Sequence, residues 1–453
     1  MHLLMINPPH YYHRFQYPFI AFPLGLGYLA SALRNLARLD ILDCVAEAPN
    51  KKTGWQNGYL LGLSNFPRNL TTRPDAVLIG CNISSQWPVV KMIAKHAKSM
   101  GCKVVLGGNY ISANPSIIQE KYVDVVVVGE SDAAASQIIC ALKSGGKRLL
   151  RPRRMQLDRI PFPAYDLFPM EPYLSSRYKH SLLKSNEATA PLVTSRGCPN
   201  GCSYCAASVV SGKLWRPRAV QNVIAEIRFL KEKYCVKEIH FEDDNLLHDK
   251  KRFANLCVRM KSLGVRWTMP NGLEVQKVDC SLLDLMKDSG CFAVFLAVES
   301  TNPKVLDTHI KKKIDPKHVK QIIRHARRIG LYTVGFFMFG FYEEDMKDIQ
   351  NTVDLAISLS PDEAHFSTVQ MAPGSVYYAR HKHLLKNSWE TRIDNRYLKY
   401  SEIWHAKVSA YISFELNRLL KNPLSYLNFN HLQRVIRYAG YITHKEVYRG
   451  SYG

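Results

Sequence analysis

Twice along its length the chain alternates short apolar or β-branched runs with stretches of helical period, and this limits the fold more than any single motif does. The first series of runs falls at 2–7, 76–80, 103–106 and 123–128, with helical stretches at 24–36, 88–99, 115–120 and 132–142. Strands that alternate with helices imply a parallel sheet covered on both faces. The second series falls at 191–194, 238–241, 266–269, 292–298, 333–339 and 363–371, separated by helical stretches at 218–234, 250–263, 281–289, 316–329 and 343–359. Repeated strand and helix units of that kind close into a barrel or part of one. Between the two series the chain turns basic and Pro-rich, as in RPRRMQLDRIPFPAYDLFP, which predicts a semi-rigid linker. After about residue 380 the barrel pattern stops and a mostly helical period follows.

Parallel sheets and barrels both place ligands at the carboxyl ends of their strands. In the first series those ends carry Asn7, Ser84, Gly107, Gly108, Gly129 and Glu130, and the paired glycines allow close backbone approach to a ligand. In the second series they carry Asp243 and Asp244, the Pro270-Asn271-Gly272 turn, Glu299 and Ser300, and the stretch from Gln370 to Gly374. Single Asp-Asn-Gly clusters are commonly turns or helix caps. Recurrence at several strand ends makes coincidence a poorer account than a shared ligand.

The first barrel strand leads into Thr194-Ser-Arg-Gly-Cys198-Pro-Asn-Gly-Cys202-Ser-Tyr204-Cys205. Three thiolates spaced CxxxCxxC can each take one iron of a cubane iron–sulfur cluster, leaving the fourth corner open. A structural zinc site normally needs four ligands, and the next cysteine, Cys235, is thirty residues on and single.

The triplet, with Tyr204 before its last cysteine, resembles the radical S-adenosylmethionine (SAM) superfamily. By that resemblance Cys198, Cys202 and Cys205 would hold a [4Fe-4S] cluster whose free iron chelates SAM and cleaves it to a 5′-deoxyadenosyl radical. Asp243 or Asp244 would lie near the methionine amino group, Glu299 near the ribose, with Ser300 beside it as a further cofactor-binding candidate, and Tyr204 would help seat adenine. The stretches NPP, FPLGLGYLASALR, VVLGGNY and VDVVVVGESDAA resemble the cobalamin-binding domain that precedes the barrel in one branch of the superfamily. LDRIPFPAYDLFP is similar to the bridge of that branch.

The implied fold is α/β, a doubly wound (flavodoxin-like) parallel sheet followed by a partial (β/α)6 barrel and a helical C-terminal extension. The implied domains are 1–145, a linker at 146–185, 186–380 and 381–453. The implied activity is cobalamin-dependent methylation of an unactivated carbon, with rearrangement, cyclisation or oxidation as the alternative, and a low-potential electron donor as partner.

Two features depart from the branch. Tyr110 stands where a histidine often follows the glycine pair, and Tyr342-Glu343 replaces a usual Pro-Gly pair before Glu344. The segment 50–73 is also longer than a crossover needs. His10 and His13 lack carboxylate or thiol partners at ligand spacing and are read as loop histidines.

A net charge of +23 admits an anionic small-molecule or lipid substrate, a membrane surface or nucleic acid. No recognition-helix or base-stacking motif supports nucleic acid. No run of about 18 apolar residues and no basic-then-apolar leader is present, so a cytoplasmic protein is expected, with peripheral membrane contact as a hypothesis. Eleven cysteines, several of them single in apolar runs (Cys81, Cys140, Cys291), suit buried thiols better than a disulfide framework.

Overall fold

In the computed structural model residues 1–13, 20–55, 58–62, 73–176, 183, 185–385 and 392–421 are described. The chain forms two compact units, one of residues 1–199 with 206–248, the other of residues 200–205 with 249–453.

The first unit is built on a six-stranded parallel sheet. Its strands, with the three of a smaller sheet, are β1 (His2–Asn7), β2 (His10–His13), β3 (Arg38–Asp43), β4 (Lys52–Trp55), β5 (Gly58–Leu61), β6 (Ala76–Gly80), β7 (Lys103–Gly107), β8 (Val125–Val127) and β9 (Arg148–Leu150). The large sheet runs β3-β1-β6-β7-β8-β9. β1 pairs with β3 through Leu4↔Asp40 and Ile6↔Leu42, and with β6 through Met5↔Leu78. The order reverses between β1 and β6, which makes that edge of the sheet the place where a parallel fold opens a crevice. β6, β7 and β8 are continuous β-branched runs with buried centres, as expected of strands covered on both faces.

The edges were harder to see in the sequence. β3 carries Arg38, Asp40 and Asp43, and β9 opens on Arg148, so neither shows an unbroken apolar run, yet both pair in parallel. The long 50–73 segment is no plain loop either. Its described part supplies β4 and β5, which form an antiparallel sheet with β2 in the order β2-β5-β4. The helix expected over 24–36 spans Leu24–Leu33, because Leu36 is half exposed and gains nothing from continuing it.

The Pro-rich segment is anchored by side chains instead of regular structure. Tyr165 is buried and donates to Glu226 Oε1 at 2.8 Å, and Glu226 also pairs with Arg218 at 2.5 Å. Tyr173 is likewise buried and donates to Asp43.

The remaining strands of the first unit are β10 (Thr189–Leu192), β11 (Ser195–Arg196), β12 (Arg216–Pro217) and β13 (Glu238–Phe241). β10 pairs in parallel with β13, and Pro191 is tolerated because β10 is an edge strand. The run expected at 191–194 therefore begins and ends two residues earlier. Thr194 has left the strand and turned its backbone N–H to Asp243.

The second unit holds β14 (Arg266–Thr268), β15 (Leu273–Glu274), β16 (Ala293–Glu299), β17 (Tyr332–Phe339) and β18 (Glu363–Thr368). The last four form a parallel sheet in sequence order. Amphipathic helices Pro316–Arg328 and Met346–Leu359 bury Val319, Ile322, Ile323 and Ile349, Val353, Ala356. The β16–β17 register shifts between Ala297 and Glu299, and Glu299 there takes a φ of 72°. Such bulges re-aim a side chain.

Helix Tyr400–Lys421 packs Tyr411 and Phe414 on Phe366 of β18, so these aromatics are packing groups. Tyr426, Tyr438 and Tyr441 lie outside the described residues. Among the described residues no helix is long and apolar enough to cross a membrane.

Candidate functional site

Cys198, Cys202 and Cys205 sit on the loop after β11 and are partly or fully exposed. Cys44, Cys81, Cys102, Cys257 and Cys291 are buried, and burial pushes the Cys257 thiol up to about 12. Cys140, expected inside, is exposed on the helix Ala135–Ser144.

In the first unit the backbone N–H of Cys198 donates to Gly212 O at 3.1 Å, and the Asn245 amide donates to its sulfur at 3.6 Å. In the second unit Cys202 donates to Ile310 O at 3.2 Å, and Cys205 N–H to Cys202 O at 3.3 Å. Among the described residues no three His, Cys, Asp or Glu side chains converge on a single ion. A cubane makes a different demand, because each thiolate takes its own iron. Three thiols that are at least partly exposed, one already receiving an amide N–H, fit that demand.

The two aspartates that end β13 are not equivalent. Asp243 is buried and accepts from Thr194 N at 2.9 Å, Thr194 Oγ1 at 2.7 Å and Ser195 Oγ at 2.5 Å. Its carboxylate is thus spent on holding the start of the cysteine loop. Asp244 is exposed, accepts from Gly197 N at 2.9 Å and lines a cleft.

That cleft lies wholly within the first unit and encloses about 1050 Å³, open solvent included. Gly107, Gly108, Gly129 and Glu130 from the ends of β7 and β8 line it, and so do Arg196 and Asp244. A Cβ on Gly108 would lie 2.5 Å from Cys81 O, so the backbone there approaches as only glycine can. No histidine is among the lining residues.

Asn7 and Ser84 do not line the cleft. Asn7 is buried and donates to Asp43 Oδ1 at 2.8 Å and to Tyr173 at 3.2 Å. Both contacts tie it into the packing of the Pro-rich segment.

Arg196 is the site residue to which the sequence reading gave no role, although it stands two residues before Cys198. It pairs with Glu130 at 3.1 Å and Asp132 at 2.9 Å, and lies over the Tyr28 ring at 4.8 Å. Burial works against its charge, but Asp132 and Glu130 outweigh this and hold its pKa above the ordinary arginine value. Arg216 pairs with the other oxygen of Glu130.

In the second unit Glu299, buried, accepts from Tyr204 Oη at 3.2 Å and pairs with Lys312 at 3.3 Å. Burial, then Glu299, push the Tyr204 phenol well above its ordinary value. Ser300 is turned away from this group and donates to Glu344 Oε1 at 3.2 Å.

The model of the radical SAM superfamily matches residues 192–356. An uncharacterized methyltransferase of Pyrococcus horikoshii is 30% identical over 450 residues, 92% of each chain. The chain belongs to the radical SAM superfamily.

Another relative, the cytidylyl-2-hydroxyethylphosphonate methyltransferase of Streptomyces wedmorensis, is 27% identical over 82% of this chain and 79% of its own. The fold is also that of the radical SAM methyltransferase TsrM of Kitasatospora setae, a structure with cobalamin and a [4Fe-4S] cluster bound. The TM-score is 0.67 at 14% identity, over 91% of this chain and 90% of that one. The architecture, parallel sheets flanked by helices with a helix toward the C-terminus, is therefore that of the radical SAM fold.

Proposed function

We propose that this radical SAM enzyme is a cobalamin-dependent methyltransferase acting on an unactivated carbon of a small-molecule substrate. The observation that carries the reading is the composition of the cleft. Glycine-bearing loops of the flavodoxin-like sheet and residues flanking the cysteine loop, Arg196 and Asp244, line one cavity of the first unit. Methyl transfer between a corrinoid and a radical site needs such a common space.

Residues 1–145 would bind the corrinoid against Gly107, Gly108 and Gly129, and residues 186–380 would bind cluster and SAM, with 146–185 between them and 381–453 beyond. Cys198, Cys202 and Cys205 would ligate the cluster. When bound, the cluster supplies the electron that cleaves SAM, and the corrinoid supplies the transferable methyl group. The chain's own residues do the positioning. Asp243 fixes the loop, Asp244 is the carboxylate left to meet an ammonium group, and Glu299 with Tyr204 offers an acceptor and a ring for ribose and adenine.

Anaerobic reconstitution with iron, sulfide and hydroxocobalamin tests this. Methylation predicts both S-adenosylhomocysteine and 5′-deoxyadenosine. Deoxyadenosine alone, with no corrinoid uptake, would sink methyl transfer and leave a radical rearrangement, cyclisation or oxidation. Peripheral contact with a lipid surface is a narrower reading supported by the net charge of +23, and flotation with anionic liposomes at two salt concentrations tests it.

A further inference from the structure

Between the second and third cysteines stands Ser203, and every polar group of this residue is engaged within the second unit. Its N–H donates to His309 O at 2.7 Å, its carbonyl accepts from Tyr377 N at 2.7 Å, and its Oγ meets His309 Nδ1 at 2.9 Å. The other ring nitrogen, Nε2, meets Glu343 Oε2 at 2.9 Å. A carboxylate only accepts, so Nε2 carries a hydrogen toward Glu343, and in the neutral ring Nδ1 then accepts from the serine hydroxyl.

His309 itself is fixed. It is buried, stacked on Phe341 with centroids 5.0 Å apart at 16°, and meets the Tyr377 ring edge-on at 5.2 Å. It is the penultimate residue of a π-helical turn, Leu306–Ile310, and the residues that follow continue the contact. Ile310 O accepts from Cys202, the Lys311 side chain packs on Gly201, and Lys312 shares Glu299 with Tyr204. Residues 309–312 thus form a mould for residues 201–204.

We propose that Glu343, acting through His309 on Ser203, is a positioning residue for the cysteine loop and sets the orientation of Cys202 and Cys205. The inference rests on the proposed ligand role of the three cysteines.

The test compares Ser203→Ala, Glu343→Gln and Glu343→Leu with the parent protein after anaerobic reconstitution. It reads iron and sulfide per chain, the rate of iron loss to a chelator, and the electron paramagnetic resonance spectrum of the reduced cluster. Removing an outer partner of a metal-ligand group typically weakens metal retention about 10-fold or more. Ser203→Ala and Glu343→Leu should therefore lose iron about 10-fold faster and shift or broaden the spectrum. Glu343→Gln, whose amide oxygen still accepts from Nε2–H, should stay near the parent. Parent-like iron loss and spectra in both Ser203→Ala and Glu343→Leu would overturn the positioning role alone. A parent protein that takes up no cubane would overturn the ligand assignment first. Thermal melts of the unreconstituted variants separate a local effect from general unfolding, and a melting loss in Glu343→Leu equal to its iron loss would also count against the proposal.

Discussion

Substituting Gly108 by alanine isolates what the glycine pair does in the cleft. Gly108 has φ 108° and ψ 178°, a region open essentially to glycine alone, so any side chain there costs roughly 1–3 kcal/mol in backbone strain. The new Cβ would also lie 2.5 Å from Cys81 O and 2.8 Å from Asn82 Oδ1. Neither oxygen can withdraw, because Cys81 O already accepts from Tyr110 N at 3.1 Å and Asn82 Oδ1 from Asn109 N at 3.2 Å. The total should be about 2–4 kcal/mol, the range of a named backbone defect. For a urea slope of about 3 kcal/mol/M, the unfolding midpoint falls by roughly 1 M. Gly107→Ala is the control, since its Cβ would meet the rotatable Ser131 hydroxyl at 3.0 Å and Val127 Cβ at an ordinary contact distance of 3.9 Å. It should change stability by less than about 1 kcal/mol while its methyl group intrudes on the cleft. Hydroxocobalamin titration, followed by absorbance, should thus show weakened binding in Gly107→Ala without lost stability, and both losses in Gly108→Ala. Equal urea midpoints for the two variants and the parent would refute the reasoning.

Asp243→Asn replaces one of the two accepting oxygens by an NH2 that faces Thr194 N or the Thr194 and Ser195 hydroxyls, and should cost about 1–3 kcal/mol in urea unfolding, whereas Asp244→Asn should leave stability near the parent and weaken SAM binding by equilibrium dialysis. Burial pushes the Glu344 carboxyl up to about 7 against the hydrogen bonds it accepts from Phe341 N and Ser300. With the folded pKa above the unfolded one, the folded state binds the extra proton, so this group's contribution is full below about 4.5 and is lost as pH rises toward 7, at up to about 1.4 kcal/mol per pH unit. Glu344→Gln should remove that slope in denaturation curves between pH 5 and 7. Tyr173→Phe leaves the buried Asp43 without its phenol donor, and a loss of about 1–3 kcal/mol is expected in the same assay.

What the sequence made legible was local. β6, β7 and β8 announce themselves as runs of Val, Leu and Ile, and the cysteine spacing is complete within eight residues. What it hid depended on partners far along the chain. Asn7 ends a strand as a ligand residue would, yet its partners Asp43 and Tyr173 come from 36 and 166 residues away. Asp243 and Asp244 are adjacent and chemically alike, and only the position of Thr194 and Ser195, some 49 residues earlier, decides which one is spent. The antiparallel β4–β5 pair did leave a signal, the Asn57-Gly58 dipeptide, a hairpin cue that a reading by apolar runs passes over, although Gly58 itself pairs with Trp55 as the first residue of β5.

The net charge also acquires a place once side chains are paired. Arg196, Arg216 and Arg218 each sit against a carboxylate within the first unit, and Lys312 does so within the second. The surplus lies elsewhere, as on the helix Pro316–Arg328, where Lys317, Lys320, Arg324, Arg327 and Arg328 face outward. The cleft carries the opposite balance, with Glu130, Asp132, Glu242 and Asp244 on its walls against Arg196. A wall of that sign favours a ligand bearing ammonium, sulfonium or amide groups over a phosphate or carboxylate. Among the described residues the excess of basic side chains therefore lies outside the cleft, whose chemistry has to be argued from the four acids and one arginine that line it.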